Sequence, residues 1–88
     1  MGVEATPLEQ RMHRALKLVW PYVDRPFTSN SARNEVGALA KADDVAGKRI
    51  PMLFALQTAW TFVHGSGNQA LMDEVSYLLK TASARDAR

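Results

Sequence analysis

The run Ile50-Pro51-Met52-Leu53-Phe54-Ala55-Leu56-Gln57-Thr58-Ala59-Trp60-Thr61-Phe62-Val63-His64 repeats apolar residues at spacings of three and four. That spacing is helical. Met52, Leu53, Leu56, Ala59, Trp60, Phe62 and Val63 cover well over half of the helix circumference, and only Gln57, Thr61 and His64 make a narrow polar strip. Pro51 suits the first turn, where its missing N–H costs nothing. A helix this apolar is either the centre of a bundle or half of an interface. It is not a membrane span. Ile50 to Val63 is 14 residues long and contains Gln57, Thr58 and Thr61, whereas a span needs about 20 apolar residues.

Outward from that run, His64-Gly65 predicts a helix end with Gly65 as a left-handed cap. Gly65-Ser66-Gly67-Asn68 is a four-residue connection, and Asn68 is a good N-cap. Leu71, Met72, Val75, Leu78, Leu79 and Ala82 then form one stripe on a helix from about Gln69 to Ala82, with Asp73, Tyr77 and Lys80 facing away. A loop this short makes the third and fourth helices an antiparallel hairpin.

On the N-terminal side, a first helix is expected from about Pro7 to Trp20. Leu8, Met12, Ala15, Leu16, Val19 and Val23 share one face, and Gln10, Arg11, Arg14 and Lys17 share the other. Trp20-Pro21 should end or kink it, because the residue before a proline avoids helical dihedrals. A second helix from about Ser29 to Ala42 would take Thr28 as N-cap, with Phe27 stapled onto Ala32. Its apolar stripe is thin: Ala32, Val36, Leu39 and Ala40. Gly37 weakens it by about 1 kcal/mol relative to alanine. Asp43 to Lys48 is expected as a loop or a short extra turn. The whole chain, 1–88, is thus expected to be a single all-α domain of about four helices, with frayed ends near 1–6 and 83–88.

Composition narrows function by exclusion. The chain of 88 residues is 47% hydrophobic and 23% charged, ordinary for a globular domain. It has no cysteine and two histidines, His13 and His64, so no disulfide, no thiolate site and no zinc site of the usual four ligands is expected. The adjacent acids Asp43-Asp44 and Asp73-Glu74 point about 100° apart on a helix and do not share a cleft. They are expected to be solvated charges. His13 is expected on the polar face of the first helix, and His64 at a helix end where a cation suits the dipole. The glycine loop lacks the lysine of a phosphate-binding loop. No catalytic residue, metal or cofactor is therefore expected. No leader pattern begins the sequence, and a cytoplasmic location is expected.

What remains is binding. The first expectation is a non-enzymatic helical interaction module of regulatory or assembly type. It would bind a protein partner or itself as a homodimer, with Trp20, Phe54, Trp60 and Phe62 as the contact residues. A small chain without disulfides gains most from such a partner. The alternative is a nucleic-acid-binding regulator resembling a helix-turn-helix. Residues 1–50 hold eight Lys and Arg against six Asp and Glu, which accounts for the whole net charge of +2. Asn30, Arg33 and Asn34 would read bases, and Arg11, Arg14 and Lys17 would hold phosphates. Two prolines in the connector, and Asp24, Glu35, Asp43 and Asp44 around the patch, count against it. A third reading takes Met1-Gly2-Val3-Glu4-Ala5-Thr6 as an N-myristoylation signal. Pro7 and the lack of a nearby basic cluster oppose membrane attachment.

Overall fold

The computed structural model describes residues 4–86, with side chains through Ser83. Four helices follow one another: α1 (Pro7–Val23), α2 (Asn30–Ala40), α3 (Arg49–Val63) and α4 (Gln69–Asp86). The fold is the all-α bundle that the apolar spacing predicts. α3 packs against the other three helices, and so does α1. Among the described residues α2 and α4 do not touch. The inner pair α1–α3 thus carries α2 on one side and α4 on the other.

This places α3 at the centre. Met52, Ala55, Leu56, Ala59 and Val63 are fully buried, together with Met12, Leu16, Val19 and Val23 of α1, Val36 of α2 and Val75, Leu78 and Ala82 of α4. Fully burying a valine, leucine or methionine contributes roughly 1.5–3 kcal/mol. The core closes within one chain, and three neighbours cover the α3 stripe except at Trp60 and Phe62, which stay half-buried.

The α3–α4 hairpin forms as the spacing predicts. Gly65 and Gly67 adopt φ of 99° and 85°, values that non-glycine residues rarely hold. The Asn68 side chain accepts from the Leu71 N–H at 3.2 Å and so caps α4. At the other end the Arg49 guanidinium donates to the Ala82 carbonyl at 2.9 Å. α4 continues to Asp86, past the expected end at Ala82.

Three local expectations are corrected. α1 does not stop at Trp20; it runs through Pro21 to Val23. Proline in the last turn removes only the bond that its own N–H would have made to the Lys17 carbonyl. Val23 is fully buried, and the Asp24 N–H bonds to the Trp20 carbonyl at 2.8 Å, so packing and a closing bond hold the turn. Second, Ser29 and not Thr28 caps α2, accepting from the Ala32 N–H at 3.2 Å. Thr28 turns inward and is buried, its hydroxyl without a hydrogen-bond partner among the described residues. Phe27, expected against Ala32, is 81% exposed. The one-residue shift of the cap moves it out of reach.

Third, the start of α1 is tied down. Thr6 Oγ1 accepts from the Glu9 N–H at 3.1 Å, and the Thr6 N–H donates to Glu9 Oε1 at 2.8 Å. This is the reciprocal capping box, legible as Thr6-Pro7-Leu8-Glu9 although the expectation of a frayed start passes over it. Glu9 is buried, and its second oxygen accepts from the Gly47 N–H at 3.0 Å. One carboxylate therefore joins the N-terminus of α1 to the α2–α3 connection. That connection is irregular, with Val45 buried as a plug and Asp44 accepting from the Ala46 N–H at 3.0 Å. Gly2, and with it the myristoylation reading, lies outside the described residues.

Candidate functional site

The four aromatic residues expected at an interface occupy different places. Trp20 lies half-buried between α1 and α2, its indole against Gly37. A Cβ on Gly37 would stand 2.8 Å from Trp20 Cη2. The Lys41 ammonium sits 4.8 Å from the same ring. Trp60 and Phe62 are two residues apart, which is about 200° around a helix, and both are half-buried against the core. Trp60 meets the His64 ring at 5.4 Å, tilted by 48°. Phe62 lines a hollow of about 360 Å³ with Tyr22 and Phe27. Phe54 is 53% exposed. Helical geometry therefore spreads the four around the bundle rather than onto one face.

The polar residues of α1 and α2 divide into two groups. Asn30, Arg33 and Asn34 line a hollow of about 520 Å³ between α1 and α2, with Trp20 and Lys41. Arg33 donates to Asn30 Oδ1 at 2.7 Å, so those two hold each other. Arg11 and Arg14 face α4 instead. Lys17 is exposed on the ridge between.

Arg11 is engaged. Its Nε and Nη2 donate to the two Glu74 oxygens at 2.7 and 2.8 Å, and its guanidinium lies 4.5 Å from the centre of the Tyr77 ring. Hydrogen bonds from Arg11 hold the Glu74 carboxyl below its usual range, with partial burial opposing and the charges of Arg11 and Arg14 assisting. The same hydrogen bond raises the Arg11 pKa. Glu74, expected as a solvated charge, is thus one arm of a bidentate pair. Arg14 is exposed and makes no hydrogen bond or ion pair with the described residues.

Between α1 and α4 lies a groove of about 930 Å³. Ala15, Leu18, Ala70 and Leu71 supply its apolar surface, and Arg11, Arg14, Arg25 and Glu74 its charged groups. Leu18 is 53% exposed. The Arg25 Nε donates to the Pro21 carbonyl at 3.1 Å, which folds that side chain back over the last turn of α1. Polar pairs bridge the groove at each end: Arg11–Glu74 at one, and Asn68 Nδ2 donating to the Tyr22 hydroxyl at 3.2 Å at the other.

Leu18 and Arg25 escape the sequence reading. Leu18 falls just off the buried stripe of α1, and Arg25 falls in the expected connector. The available signal was an apolar residue among Arg14, Lys17 and Pro21 on a face otherwise read as solvated.

His13, expected on the polar face, is half-buried, and its Nε2 has no hydrogen-bond partner among the described residues. His64 is exposed at the end of α3. Among the described residues no three His, Cys, Asp or Glu side chains gather as metal ligands, and no helix is long and apolar enough to cross a membrane. Set against protein-family models, curated proteins and solved structures, the chain matches none.

Proposed function

We propose that this protein is a non-enzymatic interaction module that binds another protein through the groove between α1 and α4. The observation that carries this reading is Leu18. A leucine half exposed over further apolar surface, inside a concavity rimmed by charge, gains free energy when a partner covers it. Covering apolar area contributes roughly 25 cal/mol per Å², set against an association cost of roughly 4–15 kcal/mol. Affinity then depends on a well-filled centre more than on area. The contact is read as one with a different protein, because the core closes without a second copy.

The test is selection of displayed protein fragments on the wild-type chain and on Leu18→Glu, with circular dichroism as the control for folding. Fragments that bind the wild type and lose the variant support the reading. Fragments that bind both equally place the contact elsewhere and overturn it.

A second reading, nucleic-acid binding, is favoured by the exposed cations Arg14 and Lys17 on α1, although Arg14 faces α4 and Arg33 and Lys41 lie in the hollow toward α2. Under it, labelled duplex DNA or RNA binds the protein with a steep loss in salt. Replacing Arg14, Lys17 and Arg33 by Gln lowers the salt slope by up to about 0.9 per lost phosphate contact. No binding at low salt removes this reading.

A further inference from the structure

Resting on the protein-binding reading, we infer that the occupant of the α1–α4 groove is an acidic amphipathic helix of a different protein. It lies along α1, with carboxylates against Arg14 and Arg25 and apolar residues over Leu18.

Position along the chain is the first argument. Arg14 and Leu18 stand one turn apart on α1, Arg25 follows two residues past the end of that helix, and all three line the groove. The two arginines thus flank Leu18, Arg14 one turn before it and Arg25 after it, held by its Nε on the Pro21 carbonyl. A helix laid beside α1 can therefore set two acids against the arginines and place its own i, i+3 and i+7 side chains over Leu18 and Ala70. That is the helix-in-groove mode, in which an apolar face enters and its flanks are read by charge.

Charge is the second. The groove holds three arginines against one glutamate, and that glutamate is already bonded twice to Arg11. Arg14 makes no bond with the described residues, and Arg25 uses its Nε on a backbone carbonyl. The guanidinium fork matches a carboxylate in bidentate fashion. The Arg11–Glu74 pair displays that geometry on the wall of the same groove.

The same observations disfavour other occupants. A nucleic-acid backbone gains little from Leu18, Ala70 and Leu71, and Glu74 repels it. Among the described residues a second copy of this chain offers no suitable acidic helix. The apolar stripes of α1 to α4 are buried in their own core. Glu35 accepts from the Thr58 hydroxyl at 2.7 Å, and Asp73 accepts from Gln69 at 2.8 Å.

The experiment is a selection from displayed helix-forming peptides about 18 residues long, or about 27 Å of helix, on the full chain. Enriched peptides are then titrated against wild type, Arg14→Gln with Arg25→Gln, Leu18→Glu, and Lys80→Gln as an exposed control. Circular dichroism reports folding of each. The expected peptides carry Asp or Glu on both flanks of an apolar stripe. They lose at least about tenfold in affinity with the double arginine variant, a loss of the size that close charge pairs confer, and nothing with Lys80→Gln. Neutral or basic peptides, or indifference to the double variant, overturn the acidic class. If those peptides still lose binding to Leu18→Glu, the protein-binding reading survives. Indifference to Leu18→Glu ends both. An RNA duplex or a phosphatidylglycerol vesicle that binds through Arg14 and Arg25 while no peptide enriches also overturns the inference.

Discussion

The two flanks of α1 meet their neighbours by different means. Toward α2 the helices meet by packing: the Trp20 indole lies directly on Gly37, with the Lys41 ammonium over the ring, and the hollow beside them is the smaller one, about 520 Å³. Toward α4 the helices leave a groove, and what crosses it is polar, Arg11 to Glu74 and Asn68 to Tyr22. The closed flank needs a residue without a Cβ, since even one methyl group would press on the indole. The open flank needs no such residue and leaves Leu18 half exposed. Packing density carries stability, whereas an uncovered apolar surface is available for binding. One helix supplies both.

The largest expected effect breaks the closed flank. Trp20→Ala should cost about 3 kcal/mol, in the range for removing a large aromatic from a core edge. Leu18→Ala on the open flank should stay within about 0.5 kcal/mol, as for an exposed side chain. Urea unfolding of the two variants measures the contrast, and equal losses would erase the distinction.

Next comes the seam at the start of α1. Glu9→Ala removes the carboxylate that holds the Thr6 and Gly47 N–H groups. It should cost about 1–3 kcal/mol, the range for charge-assisted bonds and a lost cap. Amide hydrogen exchange should quicken at Thr6 and at Gly47 together. Faster exchange at Thr6 alone would show that the bridge to the connection carries no stability.

Gly37→Ala sharpens the account of the closed flank. Helix propensity favours alanine by about 1 kcal/mol, and overpacking opposes it by about 1–3 kcal/mol. Net destabilisation of up to about 2 kcal/mol is expected in thermal unfolding. In a Trp20→Phe background, where the outer ring is gone, the same change should become stabilising.

The smallest effect belongs to the polar bridge across the open flank. The Glu74 pKa is lowered in the folded chain. Its contribution is therefore present above the ordinary carboxylate range and is lost as pH falls through the lowered value. Both partners are accessible to solvent, so the effect is small and fades in salt. The stability difference between wild type and Glu74→Gln should narrow on acidification. A difference that stays constant with pH would mean that the carboxylate charge contributes nothing.

Much of the bundle is legible in the residues themselves. The periodicity of α3 and α4, the Gly65 cap and the Asn68 N-cap each follow from local chemistry, and the short loop between them forces an antiparallel pair. Local rules also mislead where packing outweighs them. Pro21 sits inside α1 because Val23, two residues further on, is buried, and Ser29 takes the cap because Thr28 is drawn inward. The size and apolarity of Trp20, Trp60 and Phe62 are visible in the sequence, while the neighbours that half-bury them are not. Leu18 and Arg25 stay hidden for the opposite reason, since neither belongs to a periodic stripe.

By itself the sequence determined the helical class, the order of the helices and the hairpin that ends them, because spacing, caps and loop length act within a few residues. Only the tertiary structure decided that α3 is central, that Gly37 receives an indole and that α1 and α4 leave a basic groove around Leu18. Those outcomes depend on which helix faces meet across long stretches of chain, and no local pattern encodes the space left between two helices.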